Sequence, residues 1–186
     1  FQRDPRPVLA LLECLRDDPS AYVRRSVANN LNDIGKDNPR LLVATAARWL
    51  KNAPAPRAAL VRHALRSAVK AGDRGALKAL GFGGTAAVAL SNIRIAPRAV
   101  ALGGRVAVGF DVVNTAARAQ RLLVDLRVHY VKANGRTGPK VYKLKSVRLA
   151  PRARASFVKT LSLADRATRR HHPGGHALEA LVNGRA

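Results

Sequence analysis

The sequence predicts an all-α HEAT-like repeat solenoid followed by an all-β immunoglobulin-like sandwich, and three observations carry that expectation. Apolar residues recur at helical spacing up to about Phe82, and from about residue 88 onward they alternate. Between the two patterns lies Gly81-Phe82-Gly83-Gly84, which lacks the Gly-Lys-Ser/Thr ending of a phosphate loop and reads as a linker. The expected organisation is helical repeats over 1–82, a linker over 83–87 and the sandwich over 88–186.

The first helix is expected over 7–16, where Cys14 stands among Leu9, Leu11, Leu12 and Leu15 and reads as a buried structural thiol. As the single cysteine it has no internal disulfide partner, which fits a reducing cytosol. Asp18-Pro19-Ser20 introduces a helix over 20–36 with the stripe Val23, Val27, Leu31 and Ile34. Asn38-Pro39 introduces one over 39–51, whose Trp49 lies with Leu41, Leu42 and Leu50 on an apolar face. The Pro-rich stretch Asn52-Ala53-Pro54-Ala55-Pro56 precedes a helix over 57–71 carrying Val61, Leu65 and Val69, and a short one follows over about 73–80. Shifting Ala21-Tyr22-Val23-Arg24-Arg25-Ser26-Val27 forward by 38 residues lays it on Ala59-Leu60-Val61-Arg62-His63-Ala64-Leu65. Helix pairs repeating at about 40 residues are the mark of HEAT-type units, of which roughly three are needed for a stable stack.

In the second half Leu122, Val124, Leu126, Val128 and Tyr130 alternate with Leu123, Asp125, Arg127, His129 and Val131, which is strand spacing. Further strands are expected near 88–95, 105–113, 140–149, 154–163 and 176–182, separated by turn clusters such as Asn134-Gly135-Arg136-Thr137-Gly138-Pro139. Short strands at that spacing suggest an immunoglobulin-like sandwich without its disulfide.

Charge narrows the function. The chain carries 34 Lys plus Arg against 11 Asp plus Glu, a net charge of +23, of which residues 1–84 hold +8 and residues 85–186 hold +15. Codon bias in a GC-rich genome exchanges Lys for Arg without removing carboxylates, so the excess points to a polyanionic partner. The longest apolar runs are too short and too often broken by Arg to cross a bilayer, and no membrane partner is expected. The chain begins with Phe1 and has no methionine, which predicts a fragment.

On the 20–36 helix, Arg25, Asn29, Asp33 and Lys36 follow at spacings of four, four and three and line one polar face, with Arg24 and Asn30 beside it. One repeat later, on the 57–71 helix, the equivalent stripe offers His63, Ser67 and Lys70, with Arg62 and Arg66 beside it. Such a ridge is either a solvated face or a track for a duplex backbone. Asp33 repels phosphates there, and either pairs with Arg25 or Lys36 or faces a transient cation. Asp18 reads either as a helix start or as a second acid. In the sandwich, Lys132, Arg136, Lys140, Lys143 and Lys145 form an expected basic turn, and Arg169 and Arg170 fall in a basic run over 166–170. His171, His172 and His176 are spaced for zinc, but no Cys or carboxylate completes four ligands, so no metal is expected.

Ser26-Val27-Ala28-Asn29-Asn30-Leu31-Asn32-Asp33-Ile34, Val61-Arg62-His63-Ala64-Leu65-Arg66 and the stretch from Gly72-Asp73 to Leu80-Gly81-Phe82 together resemble the HEAT-like-repeat DNA alkylation repair family. Val128-His129-Tyr130-Val131-Lys132-Ala133-Asn134-Gly135, Pro139-Lys140-Val141 and Val182-Asn183-Gly184-Arg185 resemble the carboxy-terminal immunoglobulin-like domain of its AlkC-like branch. The resemblance implies a cofactor-free, monomeric, cytoplasmic and nucleoid-associated DNA glycosylase. It would remove cationic N3-methylated bases, 3-methyladenine and 3-methylcytosine, from duplex DNA without flipping them. It makes Asp33 the first catalytic candidate and Asp18 the second, with further acids expected before Phe1. A carboxylate about 4 Å from the departing sugar cation contributes about 4 kcal/mol at an effective dielectric near 20, roughly a thousandfold in rate. Two other classes stay open: a non-catalytic DNA-binding scaffold and a protein-interaction adaptor.

Overall fold

The computed structural model describes residues 3–167 and 169–186. The chain divides into two compact units, Phe1–Gly84 and Thr85–Ala186.

The first unit holds α1 (Arg6–Leu15), α2 (Ala21–Asp37), α3 (Pro39–Leu50), α4 (Ala55–Ala64), α5 (Arg66–Lys70) and α6 (Arg74–Ala79). Leu12, Val27, Leu31, Leu42, Trp49, Leu60, Val61 and Leu65 form its buried core. Packing between α2 and α3 is close because a Cβ at Gly35 would overlap the Leu42 side chain. Asp73 starts α6 by accepting the Ala76 N–H at 2.7 Å.

The second unit is two antiparallel three-stranded sheets. β1 (Val88–Ala96), β2 (Arg105–Asn114) and β5 (Arg154–Ser162) form one in the order β1-β2-β5, and β3 (Gln120–Val131), β4 (Thr137–Leu149) and β6 (Ala177–Val182) form the other in the order β4-β3-β6. Phe110 of β2 lies opposite Phe157 of β5 in register, and their rings stack at 5.7 Å. Asn114, wholly buried, ties the end of β2 to its surroundings: Nδ2 donates to the carbonyls of Arg118, Leu149 and Ala150, and Oδ1 accepts from the Ala116 N–H and the Gln120 amide.

Several expectations are corrected. The chain is not an all-α solenoid leading into an all-β sandwich: it is mixed, with six short helices and six antiparallel strands in two sheets among the described residues, and the immunoglobulin-like description fits only the C-terminal part. The helix expected over 57–71 is broken at Leu65. The His63 carbonyl is taken by Arg66 Nη1 at 2.9 Å, and the Ser67 N–H points to Asn32 Oδ1 at 3.4 Å, so side chains divert both ends of the bond that would carry the helix through. The five-residue α5 (Arg66–Lys70) follows the break.

Cys14, expected buried, is exposed, and so is Leu11 on the same helix. The turn expected over 134–139 is tighter. Lys132 N–H donates to the Arg136 carbonyl at 2.8 Å, and β4 begins at Thr137. Pro139 fits in β4 because this is an edge strand, where a missing N–H costs no ladder bond. The expected basic turn is therefore mostly strand: Lys132 and Arg136 flank the turn, whereas Lys140, Lys143 and Lys145 lie on β4.

Candidate nucleic-acid interface

α2 and α4 bring Arg25, Asn29 and His63 together. His63 Nε2 lies 3.0 Å from Asn29 Oδ1, so Nε2–H donates to the amide, and the Arg25 guanidinium stands 3.5 Å from the same nitrogen. Burial, reinforced by the charges of Arg66 and Arg25, holds the His63 pKa below its usual value. Beside this trio a shallow cleft of about 290 Å³ opens, lined by Arg24, Arg25, Ala28, Ala59, Leu60 and His63 among others.

Further along α2, Asp33 Oδ1 pairs with Lys36 Nζ at 2.7 Å, and both side chains are more than half exposed. The Lys36 hydrogen bond, opposed by slight desolvation and aided by the Lys36 charge, the Asn32 amide and the Arg66 charge, keeps the Asp33 carboxyl below its usual range. Asn32, buried between Asp33 and Ser67, links this acid to α5. Sequence reasoning passed over Asn32. Its signal was spacing, since Ala28, Asn32 and Gly35 share the small-residue side of α2.

Other candidates take structural positions. Asp18 Oδ1 accepts the Ser20 N–H at 2.8 Å, and Arg24 Nη1 donates to the Asp18 and Pro19 carbonyls at 2.5 and 2.8 Å, so both hold the start of α2. Asn30 Nδ2 donates back to the Ser26 carbonyl. Arg62 and Lys70 are exposed, and neither forms an ion pair among the described residues. Trp49 is almost wholly buried, and its indole N–H donates to Glu13 Oε2 at 2.7 Å. Glu13 also pairs with Arg48 and Arg16, an acidic anchor the sequence reading missed.

In the second unit Lys132, Arg136, Lys143, Lys145 and Arg170 are exposed, and Lys140 is half-buried. Arg169 has a defined place: its guanidinium lies 5.0 Å from the centre of the Tyr130 ring, and Nη1 donates to the Tyr142 hydroxyl at 3.2 Å. Tyr130 and Tyr142 hydroxyls are 2.7 Å apart. His171 and His176 meet the Tyr130 ring edge-on, and His176 Nδ1 accepts the Val131 N–H at 3.1 Å.

The class these features define is a strongly basic chain of two units, one helical with a cationic and amide-bearing face, the other an immunoglobulin-like antiparallel sandwich with cations along an edge strand. Residues 89–186 match the family described as "Uncharacterised protein YhaZ, C-terminal Ig-like domain", and the chain belongs to that family. It is 34% identical over 184 residues to "Uncharacterized protein YhaZ" of Bacillus subtilis (strain 168), covering 99% of this chain and 51% of the relative. Among solved structures it is similar to the Pseudomonas fluorescens alkylpurine DNA glycosylase AlkC bound to DNA containing an abasic site analog. The identity is 39% and the TM-score 0.94, covering 98% of this chain and 51% of that one. The chain thus spans about half the length of both relatives.

Proposed function

We propose that this chain works in DNA alkylation repair, as the DNA-engaging part of a glycosylase that removes cationic N3-methylated bases from duplex DNA without flipping them. The observation that carries the reading is the likeness, at 39% identity across nearly the whole chain, to a DNA glycosylase held on DNA with an abasic site analog. The net charge of +23 supports it, because cations that neutralise phosphates release counterions and drive binding. The proposed partner is alkylated duplex DNA, met by a monomer in the cytoplasm at the nucleoid.

In this reading Arg25, Arg62, Arg66 and Lys70 of the helical unit, and Lys132, Arg136, Lys143, Lys145 and Arg170 of the sandwich, meet phosphates. A base methylated at N3 carries a positive charge and is already a good leaving group, so the protein needs to stabilise only the sugar cation that remains. Asp33 is the acid proposed for that task. Its surface pair with Lys36 is worth about 0–1 kcal/mol and exchanges readily once a phosphate offers Lys36 a second anion. Asp18 is the weaker candidate, since its carboxylate is engaged in holding Ser20.

The exposure of Asp33 and its Lys36 pair favour a second reading, a DNA-binding scaffold in which the acid is a surface ion pair. Duplex binding tests the shared premise. Log affinity should fall steeply and linearly with log salt, and Arg25→Ala, Arg62→Ala and Arg66→Ala should each weaken binding on every sequence alike and reduce the slope by about 1. A flat salt response sinks both readings, and sequence-dependent losses would move these arginines from phosphate to base contacts.

A further inference from the structure

We infer that the cleft beside the β3–β4 hairpin is a phosphate-binding site in which Arg169 is the central donor and Tyr130 and Tyr142 are its positioning residues. The cleft has a volume of about 350 Å³. Lys132, Lys140, Arg169, Arg170 and His172 line it, and no carboxylate does so among the described residues. None of Lys132, Lys140, Arg169 and Arg170 forms an ion pair among the described residues. Four cations facing one small cleft repel one another, and a bound anion relieves that repulsion.

What separates this cleft from a plain basic surface is the fixing of its donors. The Arg169 guanidinium lies against the Tyr130 ring and gives one N–H to the Tyr142 hydroxyl, so its plane is set and its remaining N–H groups stay available for a planar, two-pronged grip on phosphate oxygens. Lys140 Nζ sits 5.0 Å from the centre of the Tyr142 ring, and Lys159 Nζ lies 5.7 Å from it. Lys132 lies across Gly138, where a Cβ would overlap its side chain, so the glycine admits that lysine to the hairpin. The phenols respond to this charge. Burial pushes Tyr130 up; burial opposes ionisation of Tyr142 too, but hydrogen bonds from Tyr130 and Arg169 and the charges of Lys140 and Arg169 bring it below the usual phenol range.

The ligand chemistry is a phosphate group. For its source, a DNA backbone phosphodiester or a free phosphomonoester, the inference rests on the nucleic-acid reading above; for the site itself it does not. The test is titration of the whole chain with inorganic phosphate at constant ionic strength, followed by amide chemical shifts and by the absorbance of tyrosine ionisation. The chain has three tyrosines, so the first ionisation is resolvable. Saturable shifts at 130–142 and 169–172 are expected, with the first tyrosine ionisation moving to higher pH as the anion binds. Arg169→Gln and Lys140→Gln should each weaken phosphate about tenfold or more, as loss of a charge-assisted hydrogen bond does. Tyr142→Phe, which keeps every cation, should weaken it less, and Arg148→Gln, elsewhere on β4, should leave it unchanged.

Non-saturating shifts overturn the inference, as does equal affinity in the parent and in Lys140→Gln, an exchange at a strand edge that spares the fold. Duplex DNA added to the phosphate complex then identifies the source: displacement assigns a backbone phosphate, and binding without displacement assigns a free phosphomonoester. Phosphate binding by a chain that ignores DNA would leave this site standing and remove the nucleic-acid reading.

Discussion

Replacing Asp33 by Asn separates the catalytic reading from the scaffold reading in one variant. The carboxylate is about 62% exposed and touches Lys36 Nζ at 2.7 Å, so its removal should change folding stability by no more than about 1 kcal/mol. Binding should tighten. A like charge leaves the phosphate-facing ridge and Lys36 is released, which steepens the slope of log affinity against log salt by about 0.9. The rate of base release should fall. A carboxylate about 4 Å from the sugar cation is worth about 1 kcal/mol in open water and about 4 kcal/mol once DNA covers it, a loss between about fivefold and a thousandfold. Single-turnover release of 3-methyladenine at saturating protein reads the chemical step apart from affinity. Tighter binding with an unchanged rate would refute the catalytic role of Asp33 and leave it a surface ion pair.

Asn114→Ala should destabilise the sandwich by about 3 kcal/mol or more, because buried carbonyls lose their donor and an amide loses its acceptor. Urea unfolding followed by the amide signals of β2, β3 and β5 should report it; a loss under about 1 kcal/mol would refute the hub role. His63 and His171 both have pKa values held below 6.5, by burial first and neighbouring cations second. The unfolded chain therefore binds protons that the folded chain refuses, so stability is full above about pH 6.5 and declines as pH falls below it. Thermal melts from pH 8 to pH 5.5 should show that decline, with a smaller one in the His63→Gln/His171→Gln double variant; a flat profile in the parent would contradict it.

Element positions were legible in the sequence where local signals and tertiary packing agree. Asp18-Pro19-Ser20 and the stripe from Val23 to Ile34 placed α2, and the alternation from Leu122 to Val131 placed β3. Where a distant side chain decides, the pattern misled. Val61, Leu65 and Val69 continue a helical stripe across Leu65, but Asn32, 35 residues upstream of Ser67, takes the N–H that would have continued the helix. Cys14 was misread because leucines surround it in sequence while the face it shares with Leu11 points to solvent.

The site divides in the same way. Arg25 and His63 stand 38 residues apart, the shift found between the two helices, and the fold brings them together. Lys159 shares the inward parity of Phe157 and Leu161, a signal that was available and unused. The grip of Tyr142 on Arg169 crosses 27 residues and leaves no trace in spacing.

The most direct test of the account is the free base released from duplex DNA by the protein, resolved chromatographically on substrates carrying 3-methyladenine, 3-methylcytosine or uracil. The account predicts release of the methylated, cationic bases and none of uracil, because one carboxylate's electrostatic help suffices for a leaving group that already carries a positive charge and falls short for a neutral one. Uracil released as fast as 3-methyladenine, or methylated DNA bound tightly and left intact, would contradict it.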